Sequence, residues 1–416
     1  MSQYRTVSAV FLSFLLCVLA PTALPAAGDG EITITRTVKQ GNPTLYVAGF
    51  KGSDELTANV RSLLTASGWF DVVDSRNADY VLSGVAEGGR ARFFVTAGGN
   101  PVVDATVRLS GGRGGAKVLA DAILSRVFAK FKLQGVCNTR IAYCREESSG
   151  RINIWLCDID GGNPQRLTDF KSMAVEPNWF PDGKSIIYTK YNDTTTSVLQ
   201  TTVSPVRTRT IGTYDGLNVG VAVNPNGRSI ALVMSRDGSV DLYLKSLSAG
   251  GGFRRLTNSR DVEASPVWNP AGNTLCFAAG SYSGGRLYTI SANGGSPSRL
   301  PGQKADSVKP SWSADNKIVF STRRDGRYVL SVLDCGNSAA NASHAYRRNP
   351  DGLVMAVNPG GNWESASWAP DNRHVVCSRR DGKNAALMIV DTWTGEYRRI
   401  PVSGKLLMPA WSPLEK

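Results

Sequence analysis

Side chains suited to acid–base or metal chemistry are scarce in this 416-residue chain. The two histidines, His344 and His374, lack neighbours at the spacing of a metal site or a catalytic triad. The segment closest to a nucleophile elbow, residues 280–284, has Tyr282 where that motif requires serine. Abundant carboxylates leave paired-acid chemistry open. We therefore predict no catalytic residue, no metal site and no cofactor, and we expect a binding protein rather than an enzyme.

The cysteines are the next residues that could do chemistry. No C-x-x-C spacing occurs, which argues against zinc and redox motifs. An oxidising compartment would permit a disulfide between Cys144 and Cys157 on neighbouring predicted strands. Free core cysteines are the favoured prediction, because Cys276 and Cys377 lie in strand runs where a small apolar side chain suffices. Six cysteines follow residue 26: Cys137, Cys144, Cys157, Cys276, Cys335 and Cys377.

The charge balance indicates the kind of partner. Lys and Arg number 47 against 34 acids, a formal net charge of +13. A basic surface favours acidic partners, either a protein face or an anionic envelope polymer. Nucleic acid is not expected, since no recognition motif is present and the chain carries an export signal.

That signal occupies residues 1–26. A basic start at Arg5, an apolar stretch from Ala9 to Ala20 and the small residues after Pro21 predict a secretory signal peptide. The apolar stretch is short for a bilayer crossing, and no second membrane segment follows. We expect a periplasmic protein that does not span the membrane and is a monomer.

A turn signal around a tryptophan recurs six times in the last two thirds of the chain. Counted from the tryptophan position, which is Val223 in the second copy, the steps are 44, 45, 44, 56 and 43 residues. A period in the forties with several short strands in each repeat is typical of β-propeller blades. The copies are 177–183, 221–227, 266–272, 310–316, 366–372 and 409–413.

Each repeat predicts four antiparallel strands. Alternating apolar runs such as Thr274–Ala278 and Arg286–Ile290 are separated by Asp-Gly, Asn-Gly or Gly-Gly turns, with Arg-Asp-Gly hairpins at 236–238, 324–326 and 380–382. We expect each tryptophan to pack one blade on its neighbour. The last copy supplies one strand, and the segment 140–168 supplies three. We therefore predict six blades, with the Trp411 strand pairing beside Ile141–Tyr143.

The fold class is accordingly mainly β, a six-bladed β-propeller of WD40-like repeats preceded by a small α/β domain. We expect the α/β domain at 28–136 and the propeller at 137–416. Gly111–Gly115 is predicted as a loop without a phosphate-binding motif. In the α/β domain we predict strands at 44–50, 80–85, 91–96 and 102–109 and helices at 55–67 and 116–131.

The Pro-x-Trp-x-Pro-Asp-Gly signature, the Arg-Asp-Gly turn and the Arg-Leu-Thr ending resemble the repeats of the TolB family. Tyr46–Gly52, Ser67–Asp71 and the junction Cys137–Tyr143 are also similar to that family. The resemblance covers essentially all of the chain after the signal peptide. It implies a periplasmic component of the Tol-Pal system that supports outer-membrane integrity and constriction during cell division.

The resemblance also implies two partners. The propeller would bind a Pal-like peptidoglycan-associated lipoprotein, and the N-terminal segment would bind a TolA-like inner-membrane protein. Pal contacts in the family fall in loops leading into the tryptophan strand, at one mouth of the central channel. The position three before each tryptophan gives Glu176, Gly220, Ser265, Lys309, Ser365 and Met408, and Asn218, Glu263 and Glu364 flank the same mouth.

Solvated loops are the alternative interpretation of these positions. The second repeat lacks its tryptophan, the fourth and fifth lack the closing glycine, and residues 337–361 lengthen the span between those two. As other functions we consider a secreted propeller that binds cell-wall carbohydrate, or an accessory to a hydrolase. A hydrolase domain is not expected, because few residues follow Trp411.

Overall fold

The computed structural model describes residues 41–414 except 134, 149, 249, 282–283, 302, 304–305, 336–355 and 358–359. The predicted signal peptide and the segment up to residue 40 lie outside the described residues. The same holds for most of the 337–361 insertion, including His344.

The first described part is a mixed sheet covered by two helices. The strand order is β2-β1-β3-β4-β5, in which β1 runs parallel to β2 and β3 and the other pairs are antiparallel. Three-residue β2 was missed by the sequence analysis, because a strand this short carries no alternating pattern. The strands are β1 Thr44–Lys51, β2 Asp71–Val73, β3 Tyr80–Glu87, β4 Arg90–Ala97 and β5 Asn100–Arg108.

The helices are α1 Asp54–Ser67 and α2 Arg113–Val127. Helix α1 begins after Ser53, whose side chain accepts a hydrogen bond from the Leu56 N–H, and ends at Gly68 with φ 71°. Helix α2 begins three residues earlier than predicted, within the glycine-rich segment expected to be a loop. The predicted helix end at residue 131 is also wrong, since residues 129–131 form a separate 3-10 turn.

In the described ranges, six four-stranded sheets follow as propeller blades. Blade 1 consists of β29 Lys405–Trp411, β6 Arg140–Ser148, β7 Arg151–Asp158 and β8 Gln165–Arg166, and blade 2 consists of β9 Ala174–Trp179, β10 Ser185–Tyr191, β11 Thr195–Val203 and β12 Val206–Asp215. Blade 3 consists of β13 Asn218–Val223, β14 Ser229–Met234, β15 Asp241–Ser246 and β16 Phe253–Arg255, and blade 4 consists of β17 Val262–Trp268, β18 Thr274–Ser281, β19 Gly284–Ser291 and β20 Ser298–Arg299. Blade 5 consists of β21 Ser307–Trp312, β22 Lys317–Arg324, β23 Arg327–Asp334 and β24 Ala356–Val357, and blade 6 consists of β25 Asn362–Trp368, β26 His374–Asp381, β27 Asn384–Asp391 and β28 Tyr397–Arg399.

The ring is closed by its C-terminal strand. Trp411 pairs with Ile141 and Ala410 pairs with Ala142 in the antiparallel β29–β6 ladder. The strand that completes blade 1 therefore comes from the opposite end of the propeller sequence. The predicted closure and the predicted fold class are confirmed.

The repeated tryptophans lie between blades. Their side chains are 6–9% exposed. The Nε1 atoms of Trp179, Trp268 and Trp368 donate at 3.0–3.1 Å to a backbone carbonyl of the preceding blade, on Ala410, Ala222 and Ser311 respectively. These three rings thus fill apolar gaps and also satisfy their polar atoms there, and the burial of all five tryptophans confirms the predicted packing role.

The α/β domain packs against the propeller through one continuous apolar cluster. The domain interface is centred on Trp69, which is 1% exposed and donates from Nε1 to Asp371 Oδ2 at 3.0 Å. Arg373 lies 4.4 Å from the Trp69 ring and 4.6 Å from the Trp393 ring. Within the described chain, neither α1 nor α2 has the length and apolarity that a bilayer crossing requires.

Candidate binding site at the channel mouth

The residue three positions before each tryptophan position faces one shared cavity. The cavity measures about 130 Å³, and five of the six inner strands contribute the same three consecutive positions to its lining, while the strand of Gly220 contributes two. Inner strand β25 ends close to the α/β domain, since Asp371, which accepts from Trp69 Nε1, follows Trp368 by three residues. We call the six residues the channel mouth: Glu176, Gly220, Ser265, Lys309, Ser365 and Met408.

All six residues of the channel mouth have left-handed backbone conformation, with φ between 49° and 65°. In each blade the inner strand advances three residues while its partner advances two, so each contains a β-bulge at this point. Only one of the six is glycine, and positive φ costs other residues about 1–3 kcal/mol each. The next residue is proline in four blades, which removes an N–H that the bulge would leave unpaired.

One ion pair crosses the channel mouth. Glu176 lies on blade 2 and Lys309 on blade 5, three blades apart, and the Lys309 ammonium pairs with Glu176 Oε1. The other carboxylate oxygen, Oε2, accepts a hydrogen bond from the Gly220 N–H at 2.8 Å. The Lys309 side chain is 20% exposed and the Glu176 side chain is 11% exposed. Among the described lining residues, these two carry the charges.

The three flanking residues named from the sequence occupy different positions. Asn218 is fully buried and donates from Nδ2 to Thr196 Oγ1 at 2.8 Å. Glu263 is 1% exposed and accepts from the Leu242 N–H at 2.9 Å, and burial raises its pKa to about 7. Neither belongs to the cavity lining.

Glu364 lies one residue before Ser365 and is half-buried. Its Oε2 is 3.9 Å from Arg380 Nη1. Burial raises the pKa of Glu364, although the positive charges of Arg380 and Lys309 oppose that change. It therefore contributes charge close to the channel mouth without facing the cavity directly.

The comparisons with known proteins agree with the fold. The family model described as the TolB beta propeller domain matches residues 131–415. The chain belongs to the TolB β-propeller family. The Tol-Pal system proteins TolB of Anaeromyxobacter dehalogenans strain 2CP-C and of Anaeromyxobacter sp. strain K are each 28% identical over 295 residues, 61% of this chain and 66% of each relative. The chain thus matches just under two thirds of the length of these relatives.

A crystal structure of TolB from Acinetobacter baumannii superposes with a TM-score of 0.78. The match covers 90% of this chain and 97% of that one at 22% identity. The α/β domain and the propeller together therefore follow the fold of that TolB structure, and the predicted family resemblance is confirmed.

Sequence reasoning missed the residues immediately before the tryptophans in this TolB family chain. Asn178 Oδ1, Ser311 Oγ and Ser367 Oγ accept hydrogen bonds at 3.0–3.3 Å from the backbone N–H at the tryptophan position of the next blade. They line the cavity and also join neighbouring inner strands. The sequence signal that could have identified these residues is a polar side chain directly before a tryptophan predicted to be buried.

The buried histidine is part of the domain interface. His374 Nδ1 lies 2.7 Å from Asp371 Oδ2, and both side chains are fully buried. Burial alone would raise the pKa of Asp371, but His374 and nearby backbone N–H groups lower it overall. No group of three or more His, Cys, Asp or Glu side chains suited to a metal ion occurs in the described part of the chain. All six cysteines after residue 26 are buried free thiols.

Proposed function

We propose that this protein is a periplasmic docking component of the Tol-Pal system that binds a Pal-like lipoprotein at the channel mouth. Membership of the TolB family supports a Tol-Pal role. The observation that carries the docking site is the ring of six left-handed backbone positions around one cavity, of which the five non-glycine positions are strained. Backbone strain is retained where the surrounding structure compels it, and such positions cluster at binding and catalytic sites.

The size of the cavity favours a protein partner. At about 130 Å³ it is smaller than the roughly 300–1,000 Å³ of sites that enclose small molecules. A cavity of this size suits the tip of a loop or a few side chains, with the rest of the partner resting on the surrounding blade loops. The proposed action is reversible docking without turnover.

The second partner in this proposal is a TolA-like inner-membrane protein that binds residues 27–40. With a Pal-like partner on the propeller, one molecule would then connect the inner membrane with the peptidoglycan-associated lipoprotein. This link is how the protein would support outer-membrane integrity and constriction during division.

The docking site is tested by filling the cavity. Isothermal titration of the exported protein with the lipid-free Pal-like protein of the same organism should give saturable 1:1 binding. Ser265→Arg places a long side chain in the cavity and should weaken binding by about tenfold or more. Val206→Arg is the matched control, because Val206 is 47% exposed on the outermost strand of blade 2.

Two results would overturn the proposal. Absence of binding by the wild-type protein excludes the Pal-like partner, and retention on peptidoglycan fragments instead would favour the carbohydrate-binding function. Equal affinity of the Ser265→Arg and Val206→Arg variants would place the docking surface elsewhere. Deletion of residues 27–40 should abolish binding of the TolA-like protein while leaving affinity for the Pal-like protein unchanged.

A further inference from the structure

The channel mouth has different chemistry on its two sides. Lys309 of blade 5 is flanked by Ser265 of blade 4 and Ser365 of blade 6, and all three line the cavity. We call these three residues the donor half, because ammonium and hydroxyl groups both donate hydrogen bonds. The opposite half consists of Met408 of blade 1, Glu176 of blade 2 and Gly220 of blade 3.

The ion pair across the channel mouth is anchored more firmly on its acidic side. Glu176 uses one oxygen for Lys309 and the other for the Gly220 N–H, 2.8 Å away. An ammonium group has three N–H donors, and the described ion pair of Lys309 uses one carboxylate oxygen. Lys309 therefore keeps donor capacity toward the cavity while Glu176 holds it in place.

The surrounding charge also favours an acidic ligand. Glu364 precedes Ser365 on the inner strand of blade 6, and the Arg380 guanidinium 3.9 Å away offsets its negative charge. The chain as a whole carries a formal net charge of +13, which attracts acidic partners over long distances. A cation entering the cavity would have Glu176 as its partner, between a methionine and a glycine, and would be repelled by Lys309.

We infer that the donor half is a carboxylate-binding site, and that the docking partner inserts an Asp, a Glu or a C-terminal carboxylate that pairs with Lys309. Glu176 then has two functions: it orients the Lys309 side chain in the empty mouth, and it competes with the partner for the same ammonium. Lys309 thereby determines which partners bind. This inference rests on the proposed docking function.

Two isosteric variants with opposite expected effects test it. Lys309→Met removes the ammonium and should weaken binding of the lipid-free Pal-like protein by about tenfold or more in isothermal titration. Glu176→Gln keeps an acceptor for the Gly220 N–H but removes the competing charge, so binding should strengthen several-fold. Wild-type affinity should fall as salt is raised from 50 to 500 mM, and the Lys309→Met variant should respond less.

Lys317→Met is the matched control. Lys317 belongs to the same blade and pairs with Asp315 at 2.6 Å, beyond the inner strand and outside the cavity lining. The affinity of the Lys317→Met variant for the lipid-free Pal-like protein should equal that of the wild type. Thermal unfolding followed by circular dichroism should confirm that each variant is folded.

The outcomes separate the inference from the proposed function. If wild-type protein does not bind, both are wrong. If wild-type protein binds and folded Lys309→Met binds equally well, the docking function stands and the carboxylate site is wrong. Weaker binding by Glu176→Gln together with stronger binding by Lys309→Met would mean that the partner supplies a cation to Glu176, which also overturns the inference.

Discussion

The channel mouth and the domain interface each contain a lysine or arginine paired with a carboxylate, but the two environments differ. At the domain interface, Arg373 pairs with Asp391, the side chains are 5% and 2% exposed, and tryptophan rings lie close to the guanidinium. At the channel mouth, the Lys309–Glu176 pair borders a cavity and has 20% and 11% exposure. The first pair is therefore enclosed where the α/β domain meets the propeller, whereas the second stays accessible to a partner.

The largest expected effect is at the domain interface. Trp69→Ala removes a ring whose centroid lies 5.0 Å from that of Phe128 and 5.6 Å from that of Trp393. It also leaves Asp371 without the hydrogen bond that the indole N–H donates. We expect a loss of about 3–5 kcal/mol in the free energy of unfolding, measured in urea by circular dichroism.

The control for this variant is Trp155→Ala. Trp155 is half-buried and donates to Glu147 at 3.2 Å on the propeller. A loss as large as that of Trp69→Ala would contradict the central packing role assigned to Trp69 at the domain interface.

A buried acid behind the channel mouth should make stability depend on pH. The pKa of Glu263 rises from 4.5 to about 7 because the side chain is buried. The folded state binds this proton more tightly than the unfolded state, so the stabilisation is complete below pH 4.5 and is lost as pH rises through 7.

Glu263→Gln removes this titration. Between pH 5 and 8 the variant should gain on the order of 1–3 kcal/mol relative to the wild type, as measured by urea unfolding at several pH values. Exposed Glu396→Gln is the control and should follow the wild-type profile. Parallel wild-type and Glu263→Gln profiles would show that Glu263 is ionised in the folded state.

A smaller effect is expected from the backbone of the channel mouth. Gly220→Ala places a Cβ at positive φ, 3.1 Å from Pro266 Cδ and 3.2 Å from the Ser265 nitrogen. The expected loss is about 1 kcal/mol in urea unfolding. The reciprocal change, Ser365→Gly, should be neutral or stabilising, with Ser365→Ala as its control. Destabilisation by Ser365→Gly would argue that the left-handed bulge is not strained.

The smallest effect should come from removing the ion pair of the channel mouth. The double variant Glu176→Gln with Lys309→Met should lose less than about 1 kcal/mol of stability, because both side chains retain contact with solvent. Thermal unfolding of this variant and of Arg373→Met compares the two pairs directly. An equal loss in both would remove the distinction between an accessible pair and an enclosed one.

Several features of the site could be located from the sequence, although their geometry could not. Spacing from the tryptophan placed Glu176, Ser265 and Lys309 at equivalent positions of different blades, and the structure brings them to one cavity. The same reasoning placed Asn218 and Glu263 beside the mouth, but both side chains make hydrogen bonds to the neighbouring blade instead. Sequence spacing gives the position of a residue along its strand. The β-bulge, however, changes the side of the strand to which the adjacent side chains point.

The sequence by itself determined the number of blades and the way the ring closes. A repeat of buried aromatic positions and glycine turns encodes local hairpins, and an incomplete first blade can be completed only by the last strand. Only the tertiary structure decided that Glu176 meets Lys309, 133 residues away, and that Trp69 meets Asp371, 302 residues away. Such contacts depend on how the ring closes and how the α/β domain rests on it, and no local pattern records either.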